Sequence, residues 1–279
     1  MLDVAGFARS GPGSNVRVGN FELRGTSDGI DLARYHVLQS LLVEGAFQVQ
    51  DDGAADPTLV DDLLSLYDAI ATTEGSLAAR DVLLVWDDEA PYTIERAELS
   101  VSAVGLDGDL AQMTVEVGLS GASLPTDGAP EVPEGLSPES LDLSLAIENL
   151  PWPALWRTLM VAGHSMEPTD DLVLSFLAAA QEAGTRLRLL PSLVHADRME
   201  VTGEGELRGD AAAVMGVVAS FLFEISGLAD AMAAEPGFWD DLGAMGEVAE
   251  GADGERIHRY EIVFDADGML TVNGEPMPL

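Results

Sequence analysis

The last twenty residues, Tyr260 to Leu279, read YEIVFDADGMLTVNGEPMPL. Tyr260, Ile262 and Phe264 alternate with Glu261, Val263 and Asp265, the period-two pattern of a strand with one apolar side. Asp267-Gly268 supplies a turn, and Leu270 and Val272 resume the alternation before Asn273-Gly274. This pattern predicts a closing β-hairpin with an Asp-Gly connection.

The same alternation recurs upstream. Tyr92 to Val104 reads as a long strand in which Tyr92 and Ile94 share one parity and Leu99, Val101 and Ala103 the other, so a bulge is expected near Arg96. Leu106-Asp107-Gly108-Asp109 turns the chain, and Met113, Val115, Val117 and Leu119 alternate on the return. Leu141, Leu143, Leu145 and Ile147 form another alternating strand that runs into Asn149-Leu150-Pro151-Trp152-Pro153. Further strands are expected over 16–23, 81–86, 186–194, 198–207 and 214–225, the last with ambiguous periodicity.

Helical periodicity appears between these runs. Residues 30–42 place Leu32, Tyr35, Leu38 and Leu42 along one side, with Asp28 as the expected cap. Asp56-Pro57 opens a second helix whose stripe is Leu59, Leu63, Leu66 and Ile70, with Asp at the cap and Pro at the first helical position. Helices also follow Trp152, through Leu155 and Leu159, and cover about 170–183, 228–234 and 238–249.

Together these elements predict an α+β fold, a long twisted antiparallel sheet with amphipathic helices packed on one face. Four regions are expected. Residues 1–14 read as a flexible lead-in, and 15–120 as an N-terminal α+β half. Residues 121–138, with four prolines, read as a surface loop or linker. Residues 139–279 read as a C-terminal half ending in the hairpin. A weak internal echo links Ile147-Glu148-Asn149-Leu150 to Ile225-Ser226-Gly227-Leu228, each leading from strand to helix, with 23–38 as a degenerate third copy.

The formal net charge is −36, from 49 acidic and 13 basic residues, and every basic residue is arginine. Such a chain repels nucleic acid and anionic headgroups at long range, so no nucleic-acid partner is expected. The acids are spread along the whole chain, which reads as a solvated acidic surface. Cysteine is absent, which excludes disulfides, thiolate metal sites and a cysteine nucleophile. No apolar run is long enough for a transmembrane helix, and the N-terminus lacks the pattern of a signal peptide.

Catalytic constellations are not legible. His36, His164, His195 and His258 lie too far apart for a short metal motif, so no metal is expected. Gly163-His164-Ser165 sets a histidine beside a serine, but neighbouring side chains diverge, and the nucleophile elbow is missing. Acid doublets such as Asp170-Asp171 and Asp240-Asp241 open predicted helices, where negative charge offsets the helix dipole. Asp265-Ala266-Asp267-Gly268 has the start of a calcium loop without the ligands that complete one.

Three stretches carry a family resemblance. Glu204 to Met232 (EGELRGDAAAVMGVVASFLFEISGLADAM), the terminal LTVNGEPMPL, and SLDLSLAIENLPWPAL at 140–155 resemble uncharacterised proteobacterial envelope proteins, domain-of-unknown-function families loosely grouped with AsmA-like proteins. The resemblance implies a periplasmic or envelope-associated location, a long antiparallel sheet and no catalytic residues. Proteins of that kind normally begin with a signal or anchor helix, and this chain shows neither.

The expected function is therefore a non-catalytic cell-envelope protein without cofactors, binding lipid or an envelope protein partner through the amphipathic sheet. Trp152, Leu155 and Trp156 at the strand–helix junction, with Phe221 and Phe223 in the later apolar run, are the candidates for lining an apolar groove. Trp152 is bracketed by proline, which admits either a groove mouth or a core position. The alternative is an acidic scaffold contacting cations or a basic partner without lipid.

Overall fold

The structure, a computed structural model, describes residues 2–11, 14–47, 62, 66, 68–86, 92–123, 138–165, 170–196, 198–234, 240–251 and 254–277. Among the described residues, thirteen strands form one antiparallel sheet. They are β1 (Leu2–Gly11), β2 (Ser14–Asp28), β3 (Thr72–Trp86), β4 (Tyr92–Val104), β5 (Leu110–Ser123), β6 (Pro138–Pro151), β7 (Arg186–Ala196), β8 (Met199–Gly209), β9 (Val217–Ser226), β10 (Glu247–Glu250), β11 (Arg256–Phe264), β12 (Leu270–Val272) and β13 (Glu275–Pro276). From β1 to β9 each strand pairs with the next, β9 then pairs with β11, and β11 carries both β10 and β12. The five described helices are α1 (Leu32–Phe47), α2 (Trp152–Ser165), α3 (Asp170–Ala183), α4 (Leu228–Ala234) and α5 (Asp240–Met245).

The long antiparallel sheet agrees with the alternation read from the sequence. The expected flexible lead-in is corrected: residues 2–11 form β1, paired with β2 from Leu2↔Leu23 to Gly11↔Ser14. The two expected halves belong to one sheet, because β5 and β6 pair along most of their length. Residues 124–137, most of the proline-rich stretch, and the start of the helix expected at Asp56-Pro57 lie outside the described residues. Leu66, from the stripe of that helix, is buried.

Three strand-to-helix junctions share one backbone device. β2, β6 and β9 each pass through a left-handed residue into α1, α2 and α4: Gly29 (φ +66°), Asn149 (φ +53°) and Gly227 (φ +72°). The left-handed residue turns the chain out of the strand so that a helix can begin. These are the three positions linked by the internal echo. At the first, Asp31 rather than Asp28 caps the helix, its Oδ1 accepting from Ala33 N at 3.0 Å and Arg34 N at 3.2 Å. Leu32, expected on the packed side, is exposed.

Antiparallel meandering fixes where those junctions fall. β2 and β6 run in one direction and β9 in the other, so α1 and α2 sit at one end of the sheet and α4 at the opposite end. At the first end Ala103, Leu106, Ala111, Leu150 and Trp152 are buried together, with Met113, Ile147, Leu155, Trp156 and Phe176 packed on them. Leu66 and Ala69 join through Trp156 and Met160. At the second end Ile225, Leu228 and Tyr260 are buried beneath Met232 and Leu242.

Irregularities fall where the sequence explains them. The bulge expected near Arg96 does not form: register is unchanged from Ile94↔Ala122 to Arg96↔Ser120, and the irregularity there is Gly121, left-handed at φ +61°. Across β3 from it, Asp81 is left-handed at φ +53°. Register is kept across this row, so the parity switch in β4 is matched by its neighbours. A true extra residue sits in β7 at Leu190-Pro191, where register shifts against both β6 and β8. Proline cannot donate to a ladder, and a bulge accommodates it. Ser192 repairs the gap: its hydroxyl accepts from Ser144 N at 3.1 Å and donates to Leu190 O at 2.8 Å.

The closing region divides differently from its periodicity. The helix expected over 238–249 is α5 followed by β10, so Val248 belongs to a strand. Val214 and Met215, expected in a strand, form part of the turn before β9. The terminal hairpin forms as expected, though its connection is a five-residue loop. Asp265 Oδ1 accepts from Asp267 N and Met269 N, both at 2.9 Å. Asn273-Gly274, both at positive φ, makes the tight turn from β12 to β13.

Candidate functional site

Strand register separates the two faces of the sheet chemically. One row of paired residues runs Val101, Val115, Leu145, Leu189, Gly205, Phe221, Ile262 and Val272, from β4 to β12. Eight strands at the usual spacing make this row roughly 34 Å long. One residue further along the strands the row reads Ser102, Thr114, Ala146, Arg188, Glu206 and Ser220, which points to the opposite face. Sheets with one apolar and one polar face bury the first and solvate the second.

The apolar face is incompletely covered. Leu99 is 38% exposed and Leu187 is 36% exposed, and Leu23 at the β2 end is 42% exposed. The central residues Val101, Val115, Leu145 and Leu189 are neither fully buried nor fully exposed. Each exposed apolar contact with water is unfavourable by about 25 cal/mol per Å². A face of this length therefore has a driving force to bind something apolar.

The five candidate residues fall into two groups, one at the start of α2 and one on β9. Trp152 starts α2, its N–H donating to Asp109 O at 3.2 Å, and its ring lies 5.7 Å from that of Trp156 at a 47° tilt. Trp152 is 8% exposed, so it takes the core position rather than a groove mouth. Leu155 and Trp156 are partly buried against the same cluster, and Trp156 also reaches the Leu66–Ala69 cluster. Phe221 and Phe223 stack with ring centroids 6.3 Å apart. Both are partly buried on β9.

The phenylalanines owe their placement to glycines on the neighbouring strand. Gly205 and Gly203 pair with Phe221 and Phe223, and the rings lie where those glycines would otherwise carry a Cβ. An aromatic ring covering a cross-strand glycine shields backbone that has no side chain of its own. Two glycines two residues apart in an alternating strand are the sequence signal for this. Structure brings Phe221 and Phe223 together and Trp152, Leu155 and Trp156 together, in two separate groups.

The polar face carries cross-strand ion pairs. Arg259 Nε donates to Glu224 Oε1 at 2.9 Å across β9 and β11, and Arg188 Nη1 to Glu148 Oε1 at 3.1 Å. A shallow concavity of about 400 Å³ on this face is lined by Glu98, Ser100, Glu116, Asp142 and Ser144, among others, and opens to solvent. Solvent-open carboxylates lack the enclosure that acid/base catalysis between paired acids uses. Among the described residues, no group of three or more His, Asp or Glu side chains could hold a metal ion. Among the same residues, no helix is long and apolar enough to cross a membrane.

Of the histidines, His36 and His195 are exposed, and His195 Nδ1 lies 3.7 Å from Glu200 Oε2. His258 is the one sequence reasoning passed over. It is 3% exposed, it pairs with Ile225 and Val248, and its buried Nδ1 has no hydrogen-bond partner among the described residues. Burial holds its pKa below the usual imidazole value, and the Arg256 guanidinium lowers it further. Beside it, burial raises the Tyr260 pKa, and the phenol donates to Leu242 O at 2.9 Å.

These features define a long antiparallel sheet with one apolar and one polar face and two separate aromatic groups. Comparison with known proteins adds nothing to that description: no family model, no curated protein and no solved structure matches the chain.

Proposed function

We propose that this chain is a non-catalytic binding protein of the bacterial envelope that holds lipid, or an apolar segment of a partner protein, on the apolar face of its sheet. The observation that supports it most is the continuous apolar row from Val101 to Val272, left part-exposed at its centre. In this reading the helices pack on that same face, α2 and α3 at one end and α4 and α5 at the other. Their core partners, Ala103, Met113 and Ile147 at one end and Val201, Phe223 and Tyr260 at the other, have the apolar parity of their strands. The space between the helix groups is the binding surface, with Trp156 at one margin and Phe221 and Phe223 at the other. The periplasmic or envelope location rests on the family resemblance of the quoted stretches.

Native mass spectrometry of the protein purified from a bacterial host, with organic extraction of bound material, tests this. A discrete stoichiometric lipid mass supports lipid binding. A clean apo mass, together with no uptake of a fluorescent fatty acid by the purified protein, overturns it.

A second reading follows from the net charge of −36. An acidic scaffold would contact cations or a basic partner through its polar face. A rise in thermal midpoint with millimolar divalent ions, absent with equal ionic strength of a monovalent salt, distinguishes that reading.

A further inference from the structure

α5 and β10 are joined by Gly246, and together they close one corner of the sheet. The attachment is short. β10 pairs with β11 over Glu247↔Arg259 to Glu250↔Arg256. Tyr260 Oη donates to Leu242 O at 2.9 Å, and Asn273 Nδ2 donates to Met245 O at 2.8 Å. Gly246 packs closely on the Tyr260 phenol and the base of the His258 side chain, since a Cβ there would stand 2.7 Å from the Tyr260 hydroxyl and 3.1 Å from His258 Cβ. His258 is 3% exposed, with Ile225 on β9 and the half-exposed Val248 on β10 as its ladder partners and its Nδ1 unpartnered among the described residues.

The surroundings of His258 are poor for a cation. On β11 its same-face neighbours are Arg256, which is cationic, and Tyr260, whose proton is already committed to Leu242 O. β9 offers Ile225 and Phe223, neither titratable. β10 offers Val248, with Glu250 two residues on and paired with Arg256. Of the neighbouring helices, α5 brings Leu242, and Asp230 of α4 is exposed to solvent. A buried imidazolium needs an acceptor for each N–H, and among the described residues Nδ1 has none.

We propose that His258 is a proton-operated latch: protonation releases the α5–β10 segment from β11 and uncovers the adjoining end of the apolar face. Opening lets the imidazolium reach water, so acid favours the open form. The sign follows from burial. The closed form resists protonation, so it is fully favoured above pH 6.5 and loses its advantage as pH falls below that value. Only the consequence for a bound lipid or partner rests on the function proposed above.

Hydrogen exchange of the ligand-free full chain, followed over residues 242–250 and corrected for intrinsic chemistry, tests the latch. Between pH 7.5 and pH 5.0 the wild-type opening constant is expected to rise by up to about thirtyfold, the limit set by an ordinary open-state imidazole. The His258→Gln variant is expected to change by less than about twofold over the same range. Equal pH dependence in both proteins, or a flat wild-type profile, overturns the proposal. If the variant does not fold, an NMR titration of the wild-type imidazole decides. A midpoint below 6.5 with a parallel rise in exchange at 242–250 supports the latch, and an ordinary midpoint without that rise overturns it. Because no ligand is present, failure of the latch leaves the apolar-face reading standing, and an apo mass in native spectra leaves the latch standing.

Discussion

At one end of the sheet β6 passes through Asn149 into α2, and at the other β9 passes through Gly227 into α4. Both junctions use a left-handed residue, and both start a helix that buries an apolar side chain. The contents differ. The first end is filled by Trp152 against Ala103, Leu106, Ala111 and Leu150, all apolar. The second places Leu228 on Ile225 and Tyr260, with His258 buried alongside. The first end can be a permanent closure, because nothing in that cluster titrates. The second holds an imidazole whose Nδ1 has no partner among the described residues, and in the proposed latch its closure depends on protonation. Similar backbone geometry thus supports different behaviour, decided by one polar ring.

Truncation of each core is the strongest way to break this comparison. Trp152→Ala is expected to destabilise by about 3–5 kcal/mol and Leu228→Ala by about 2–5 kcal/mol, as for large side chains removed from packed cores. Urea unfolding followed by far-UV circular dichroism and tryptophan fluorescence measures both. If the ends are independent, Leu228→Ala splits the dichroism transition in two, the later one keeping the wild-type midpoint. Coincident transitions would show one cooperative unit and erase the distinction between the ends.

The junctions themselves come next. Gly227→Ala is expected to cost about 1–3 kcal/mol, because a side chain at φ +72° is strained and its Cβ would collide with the Arg198 carbonyl. Asn149→Gly, at the matching position, is expected to stay within about 0.5 kcal/mol, since asparagine and glycine both accept the left-handed region. Equal losses from the two substitutions would mean that the junctions are not equivalent devices. Tyr260→Phe is expected to cost about 0.5–1.5 kcal/mol for one lost hydrogen bond to Leu242 O. That variant should also raise hydrogen exchange in α5 more than in α2, which sharpens the assignment of the weaker end.

Elements with unbroken period were legible in the chain. β4 spans Tyr92–Val104 and α3 spans Asp170–Ala183, as their patterns predicted. β3 was read only over 81–86 but begins at Thr72, because Gly75, Ala78 and Ala79 are too small to mark an apolar side. β10 was hidden inside a helical pattern. Phe238, Leu242, Met245 and Val248 fit a helix, yet Glu247–Glu250 gains ladder bonds on the edge of β11. The aromatic candidates were legible as residues, while their grouping into two separate pairs was not.

The sequence by itself determined the antiparallel sheet, its two chemically different faces and the three strand-to-helix junctions. Those depend on local period and on backbone preferences within a few residues, and each is written in adjacent positions. Tertiary structure alone decided that all strands share one sheet, that Phe221 and Phe223 cover Gly205 and Gly203, and that His258 is buried beside Gly246. These depend on which strands become neighbours. Burial of a given side chain is set by residues far away in the chain, so no local pattern around His258 announced it.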